Sequence, residues 1–364
     1  MLNTQTEFTA ARSGSLHCRS QRQFFMLMSG KIRLKGWFMQ KSALALMAAC
    51  MMFMNSCSAE DNTAEEKNFF AMDTAVSVKG NGQCADTAEE IFLRLDGIFD
   101  RYSPESDIYS LNQRLDTDIS QDTQEIIIRS IELSDKYGDQ VSIFAGDITD
   151  CWNISADTPK IPSLTEINAA LDSFSNSSFS LETMSFADEK GSIDLGAVAK
   201  GYALDKISDA LPDDSWSVIS TGSSVLLHGE KPDGNKFTVS VRDPETGGSL
   251  GMITSDACFI STSGGYERYF EADGKRYSHI FDLSTGCPSE TDLTSVTVIC
   301  QSGIESDFLS TLIYLGGTQL LEEYMSSGNF GVIAVTENRD VYVSDGVDFQ
   351  LAAQNYKLKE ASDG

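Results

Sequence analysis

The chain is poor in positive charge, in histidine and in proline. Its 364 residues contain 27 Lys and Arg against 54 Asp and Glu, for a net charge of −27, with only 3 His and 7 Pro. So acidic a surface repels nucleic acid and anionic lipid headgroups, and we expect no nucleic-acid partner. Because only His228 and His279 follow Cys57, few residues are left to serve as a general base.

Thiol motifs are also missing. Five cysteines follow Cys57 and none forms a C-x-x-C pair, which argues against a zinc or thiol-redox site. Their odd number argues against a full disulfide framework. The apolar run at residues 43–54 is too short for a comfortable transmembrane span.

The N-terminus instead has the order of an export signal. Basic residues at 31–41 precede the apolar run, and the small residue Ser56 stands just before Cys57. We expect cleavage there and a lipid on Cys57 that anchors the protein to the periplasmic or extracytoplasmic face of a bacterial membrane. The alternative is plain secretion. Loss of the seven basic and one acidic residues of 1–57 leaves 20 basic and 53 acidic residues, a net charge of −33. A phosphate substrate would then need a metal cation.

The pattern predicts four segments: a leader at 1–57, a flexible acidic tether at 58–67, one catalytic domain at 68–350 and a polar tail at 351–364. Amphipathic periodicity and capping signals favour helices, whereas the second half alternates as strands and hairpins. Helices segregated from strands indicate an α+β fold with mixed or antiparallel sheets and flanking helices. The predicted helices are Asp86–Tyr102, Gln124–Tyr137, Pro162–Phe174, Phe308–Gly316 and Gln319–Ser326. The predicted strands are Phe70–Lys79, Trp216–Ser220, Ser224–Leu227, Lys236–Val241, Ala257–Ser261, Ser295–Cys300, Phe330–Thr336 and Asp340–Val343.

The segment Asp194–Gly201 reads as a strand, a glycine turn and the start of a helix. Gly196 and Gly201 allow close backbone approaches, and a helix N-terminus presents unpaired N–H groups to an anion. Asp194 and Lys200 place opposite charges around that turn. The segment matches neither the P-loop nor the G-x-G-x-x-G pattern, and an ordinary structural unit is the alternative.

Three further segments carry chemistry-bearing side chains. Ser261–Tyr269 is rich in hydroxyls and glycine, and Ser278–Pro288 contains His279. On the segment Ser306–Thr311, Asp307 and Thr311 are four residues apart and share a helical face. A carboxylate beside a hydroxyl suits a hard cation such as Mg²⁺, although an Asp near a helix start is also a common cap.

Together and in this order, these segments resemble the ApbE family of FAD:protein FMN transferases. The resemblance runs from about Phe70 to about Phe349. It rests on a set of short motifs: Met72-Asp73-Thr74, Tyr102–Asn112, D-L-G-A-x-A-K-G-Y-A from Asp194, V-R-D-P from Val241, T-S-G from Thr262, H-I-x-D-x-x-T-G-x-P from His279 and S-V-T-V from Ser295.

The resemblance implies an ApbE-like, T-fold-related catalytic unit that binds FAD and Mg²⁺. It would transfer FMN to a Thr or Ser hydroxyl of an exported or membrane redox protein and release AMP. A Mg-dependent FAD pyrophosphatase and a non-enzymatic flavin-binding lipoprotein are the alternatives. The resemblance assigns the metal to the Ala197 carbonyl, Asp307 and Thr311, and the general base to His279. The FAD-binding positions it implies are Met72, Tyr102, Phe144, Ala145, Gly146, Asp194, Lys200 and Phe281.

Two features of this assignment need a structure. His279 suits a base because histidine titrates near neutrality, but it could instead only shape the turn or bind the flavin. The loop Thr221–Val225 departs from the family's N-x-G-G-[DN], which leaves the part of this loop in the site open.

Overall fold

The computed structural model describes residues 64–325 and 328–359. The described residues belong to one unit of the chain, Leu46–Gly364. The candidate leader and its lipid-attachment residue Cys57 lie outside the described residues. Among those described, no helix combines the length and apolar character that a bilayer crossing needs.

The described residues form seven helices and eighteen strands, which confirms the α+β class. The helices are α1 Cys84–Phe99, α2 Asp107–Asn112, α3 Gln121–Tyr137, α4 Gly146–Trp152, α5 Leu164–Ser175, α6 Ala199–Ala210 and α7 Gly303–Met325. The strands are β1 Glu65–Ala71, β2 Thr74–Gly80, β3 Phe179–Ser180, β4 Ser185–Phe186, β5 Ser217–Ser220, β6 Ser224–His228, β7 Phe237–Arg242, β8 Ser249–Ser255, β9 Cys258–Ser263, β10 Tyr269–Ala272, β11 Lys275–Ser278, β12 Phe281–Asp282, β13 Cys287–Pro288, β14 Leu293–Cys300, β15 Gly331–Thr336, β16 Asp340–Val343, β17 Asp348–Leu351 and β18 Lys357–Lys359.

The centre of the fold is a nine-stranded sheet in the order β1-β2-β5-β6-β9-β14-β15-β16-β18. Its neighbours pair antiparallel except β16 with β18. Helices α1, α6 and α7 pack on one face, and the three-stranded sheet β17-β8-β7 packs on the other. Strand β9 shows how the sequence builds both cores, since Phe259 points into the helical core while Cys258 and Ile260 point into the sheet–sheet core.

Helix boundaries follow their caps. Ser163 accepts the backbone N–H of Glu166, whose side chain accepts the N–H of Ser163, so the predicted capping box opens α5. Helix α3 ends at Gly138, which takes a φ of 109° that a side chain disfavours. Helix α1 ends at Phe99, three residues before the predicted Tyr102, and this earlier end frees the residues that follow it for the site.

One sequence prediction about the elements is wrong. The single strand Phe70–Lys79 is a hairpin, because Met72 and Asp73 take positive φ and reverse the chain between β1 and β2. The two predicted C-terminal helices are confirmed as the two parts of α7, because Gly317 has a non-helical backbone with a φ of 66° and divides the run. The first part begins at Gly303, earlier than the predicted Phe308.

The described domain extends past both of its predicted limits. Residues 65–67, assigned to the tether, begin β1 because they pair with β2. Residues 357–359, assigned to the tail, form β18 because they pair with β16 at the far edge of the sheet. The polar composition of both segments predicts a flexible chain, but hydrogen bonding to the edge of the sheet makes both of them strands.

Candidate active site

The turn before α6 is fixed by hydrogen bonds from two other segments. Asn112 donates to the carbonyl of Ile193 at 3.0 Å and accepts the N–H of that residue at 2.7 Å. The N–H of Asp194 donates to the carbonyl of Ile143 at 2.7 Å, and the Asp194 carboxylate accepts the N–H of Gly196 at 2.8 Å. The carboxylate therefore has a set position at the entrance to the helix.

Helices α6 and α7 cross where each has a glycine. A Cβ added to Gly201 would lie 2.0 Å from the carbonyl oxygen of Gly303, so the crossing admits no side chain there. The close approach lets the N–H of Gly201 donate to Oδ2 of Asp307 at 2.7 Å. Within the described part of the chain, the Ala197 carbonyl, one turn earlier, then accepts no hydrogen bond and is free for a ligand.

Asp307 is a buried carboxylate surrounded by uncharged donors. Its Oδ1 accepts the hydroxyls of Ser224 at 2.7 Å and Ser261 at 2.6 Å, and only 6% of the residue is exposed. A carboxylate offers about four acceptor positions, so three bonds leave room for one more. The sequence did not predict that Ser224 and Ser261 bind Asp307, although Ser261 begins the hydroxyl-rich segment Ser261–Tyr269 and Ser224 lies in the divergent loop Thr221–Val225.

Thr311 lies one helical turn after Asp307. Its hydroxyl donates to the Asp307 carbonyl at 3.2 Å and lies 3.0 Å from the hydroxyl of Ser263. A free carbonyl, a carboxylate with a spare acceptor position and a hydroxyl are the oxygen ligands that Mg²⁺ prefers, so the predicted donor set fits that cation. The described residues hold no group of three or more His, Cys, Asp or Glu suited to a metal ion.

His279 has a defined tautomer. Its Nδ1 lies 3.1 Å from the carbonyl oxygen of Arg268, and because a carbonyl can only accept, Nδ1 carries the proton and Nε2 is the basic nitrogen. Burial among protein atoms and the positive charge of Arg268 lower the pKa of His279 to about 4, and Lys200 adds to this effect. This pKa lies below the near-neutral value that the residue type alone predicts, and a lower pKa favours the neutral ring.

Glu267 is a charged residue of the site that the sequence did not single out. The residue is exposed at the surface, and the protein atoms around its carboxylate raise the pKa of Glu267. Lys200 opposes the rise and Asp307 adds to it. Lys200 itself is half-buried in the first turn of α6 and forms no ion pair within the residues described. The tertiary structure thus brings Lys200 near both His279 and Glu267.

At the other end of the site, Asp194 is paired with Arg101. The guanidinium donates to Asp194 at 2.9 Å, to Asp150 at 2.8 Å and to the carbonyl of Gly146 at 3.2 Å. The Tyr102 hydroxyl lies 3.3 Å from Asp150, and partial desolvation of the phenol raises the pKa of Tyr102 to about 12. Arg101 directly precedes a predicted flavin-binding residue, but nothing in the sequence identified its partners.

The hairpin turn at Met72 also reaches this region. Arg268 donates to the carbonyl of Asp73 at 3.2 Å, which ties the turn to the segment that contacts His279. Ala145 and Gly146 are buried beside Ser192, with a 3.0 Å bond from the N–H of Gly146 to the Ser192 carbonyl. Ala145 and Gly146 therefore lie beside the segment that leads into Asp194.

Two predicted flavin-lining rings are engaged in packing. The ring of Phe281 is 8% exposed and packs against Trp152, so it belongs to a small aromatic core. Phe144 packs against Phe179 and Phe186, with ring centroids 5.4 and 5.9 Å away. Clustering with other aromatic rings leaves little of the Phe281 ring exposed, and its place in a flavin site stays a prediction.

A model of the ApbE family matches residues 72–335, which include both ends of the site. The chain belongs to the ApbE family. A relative from Klebsiella pneumoniae named FAD:protein FMN transferase is 32% identical over 208 residues, covering 55% of this chain and 64% of that protein. A relative of the same name from Vibrio cholerae is 24% identical over 328 residues, covering 84% of this chain and 95% of that one.

Solved ApbE structures share the fold. The ApbE protein of Thermotoga maritima matches with a TM-score of 0.72 at 24% identity, covering 78% of this chain and 97% of that one. The Vibrio cholerae flavin transferase ApbE matches with a TM-score of 0.67 at 22% identity, covering 78% and 98%. The chain spans 64%, 65% and 62% of three relatives from Klebsiella, Salmonella and Treponema, a little under two thirds of each.

Proposed function

We propose that this protein is a Mg²⁺-dependent FAD:protein FMN transferase. It would move FMN from FAD to a Thr or Ser hydroxyl of a partner protein and release AMP. The observation that carries the proposal is the α6–α7 crossing, where the N–H of Gly201 binds Asp307 and leaves the Ala197 carbonyl free. The names of the relatives support the same activity.

The residues have separable tasks in this reaction. Lys200 and the N-terminus of α6 would hold the pyrophosphate. The Nε2 of neutral His279 would take the proton of the acceptor hydroxyl as its oxygen attacks the FMN phosphorus and AMP leaves. A Mg²⁺ held by Ala197, Asp307 and Thr311 would offset the charge that develops on the phosphates.

The test combines two measurements on the purified protein with FAD, Mg²⁺ and a Thr-containing acceptor. We expect AMP release and an acceptor heavier by one FMN, both lost when the metal is chelated. AMP and FMN released at the same rate without an acceptor, with no gain in acceptor mass, would instead identify a pyrophosphatase. FAD that stays bound and intact would identify a flavin carrier.

We further propose that the protein is exported and held to the membrane by a lipid on Cys57, with a redox protein of the same compartment as acceptor. The order of basic, apolar and small residues before Cys57 supports this. Mass spectrometry of the N-terminal peptide should show an acylated cysteine, and Cys57→Ser should release the protein from the membrane fraction. An unmodified, cleaved N-terminus would indicate plain secretion.

A further inference from the structure

Arg101 lies at the flavin end of the site, the group formed by Arg101, Tyr102, Asp150 and Asp194, and the proposed reaction gives it no task. Only 9% of its side chain is exposed, although its partners Asp150 and Asp194 are 50% and 22% exposed. The planar guanidinium donates to both carboxylates and to a carbonyl, a fork geometry that lysine cannot reproduce.

Its contacts join three separate segments that sequence motifs assign to FAD binding. Tyr102 is its chain neighbour, with the guanidinium carbon 5.4 Å from the ring centre. The Gly146 carbonyl belongs to the second segment and Asp194 to the third. A Cβ on Gly146 would lie 2.8 Å from Nη2 of Arg101, so the segments close tightly around this side chain.

The charges around Arg101 explain why a cation is needed here. Burial alone would lower the pKa of Arg101, but Asp194 and Asp150 outweigh it and raise the pKa, so the guanidinium stays charged. Asp150 in turn has a pKa raised by burial and by Asp194, which Arg101 opposes. Without Arg101, two carboxylates would stand uncompensated beside a site for a dianionic pyrophosphate.

We propose that Arg101 is a positioning residue for FAD. It fixes the Asp194 carboxylate, neutralises it together with Asp150, and holds the Tyr102 and Gly146 segments in register, without touching the reacting phosphorus. The identity of the ligand rests on the proposed function. The consequence is a separation of effects, because loss of Arg101 weakens FAD binding much more than it slows the chemical step.

The experiment measures FAD affinity by the change in flavin fluorescence on binding, with no acceptor present. Arg101→Met should weaken FAD binding by about 30-fold or more, because it leaves Asp150 and Asp194 without a counter-charge. Arg101→Lys should recover part of the lost affinity. Turnover at saturating FAD should stay within about threefold of the unaltered protein. Arg129→Met and Arg129→Lys are matched controls, because Arg129 pairs with a buried carboxylate, Asp205, at 2.9 Å outside these three segments.

A double-mutant cycle with Asp194→Asn tests the stated route. If Arg101 acts through Asp194, the double variant should bind FAD better than the sum of the two single losses predicts. Additive losses, or FAD binding by Arg101→Met within threefold of the unaltered protein, would overturn the proposal. If Arg101→Met does not fold, the same FAD-affinity measurements on Arg101→Lys, and on its double variant with Asp194→Asn, test the proposal. Failure of the unaltered protein to bind FAD would overturn the proposed function, and this inference with it.

Discussion

At the metal end of the site, defined by Gly201, Ser224, Ser261 and Asp307, every hydrogen bond to the carboxylate comes from a buried, uncharged donor. At the flavin end, defined by Arg101, Tyr102, Asp150 and Asp194, a charged guanidinium holds two partly exposed carboxylates beside a tyrosine that is 65% exposed.

In the proposed reaction the two ends bind different ligands, and this would account for the difference. A cation site needs fixed oxygens of set geometry, which a closely packed helix crossing and strand hydroxyls supply. A flavin site must admit a large ligand, so its polar groups lie near the surface and depend on charge pairing for their orientation. We therefore expect changes at the metal end to abolish turnover or stability, and changes at the flavin end to alter affinity.

The largest effect is expected from Asp307→Asn. Loss of the carboxylate charge should lower turnover by about 10³-fold or more while keeping a side chain of the same shape. Asp307→Ala is a poorer choice, because it would leave three buried donors without an acceptor. Each such donor lowers the free energy of unfolding by about 1–3 kcal/mol. AMP release measures the effect. Asp292→Asn is the control and should keep turnover, because Asp292 lies outside the listed motifs and accepts its hydrogen bonds from Thr318. Retained turnover in Asp307→Asn would show that the metal assignment is wrong.

Gly201→Ala should break the metal end by forcing α6 and α7 apart. The added Cβ meets the Gly303 carbonyl, and such overpacking costs about 1–3 kcal/mol or more of unfolding free energy. Gly97→Ala is the matched control, because nothing lies within 4 Å of a Cβ at that position in α1. Gly97→Ala should increase the free energy of unfolding by about 0.5–1 kcal/mol, as helix propensity predicts. Urea unfolding compares the two, and equal midpoints would contradict the crossing described above.

Ser224→Ala should weaken the metal end without unfolding it. Loss of one donor to Asp307 should reduce Mg²⁺ affinity by about 10- to 100-fold, as is typical of groups that orient a ligand, and leave FAD affinity nearly unchanged. Calorimetric titration with Mg²⁺ or Mn²⁺ measures the metal affinity. The control is Ser217→Ala, which removes a buried hydroxyl that has no partner among the described residues. Equal metal affinity in both variants would exclude a role for Ser224.

The pH dependence tests the environment of His279. Its pKa of about 4 lies below the ordinary value of 6.5, so the neutral base persists on acidification and protonates only near the lower value. Arg268 and Lys200 favour the neutral form and Asp194 opposes them. We expect kcat/KM to hold from pH 7 to about pH 5 and to fall towards pH 4. A fall centred near pH 6.5 would contradict this environment.

The smallest effect is expected at the exposed rim of the flavin end. Tyr102→Phe loses only the 3.3 Å hydrogen bond to Asp150, so KM for FAD should rise by about threefold. Tyr356→Phe loses a 2.6 Å bond to Asp243, which is not one of the four residues of the flavin end, and should leave KM unchanged. Steady-state kinetics distinguish them, and a tenfold loss of kcat in Tyr102→Phe would place that hydroxyl in the chemistry.

Much of the fold could be predicted from local pattern. The capping box at Ser163 and the glycine stop at Gly138 are signals within a few residues, and both hold. The hairpin at Met72 was missed because non-glycine residues rarely take positive φ. The prediction of two C-terminal helices also holds, because the non-helical Gly317 divides α7.

The sequence by itself determined the α+β class, the family motifs and most candidate residues, because each depends on residue type and spacing. Only the tertiary structure decided what surrounds those residues. It pairs Arg101 with Asp194 across 93 positions, brings Ser224 to Asp307 across 83, and lowers the pKa of His279. It also draws Phe281 into an aromatic core. These pairings and the shifted pKa depend on burial and on contacts between segments that are distant in the chain. Neither burial nor such contacts can be predicted from the local sequence.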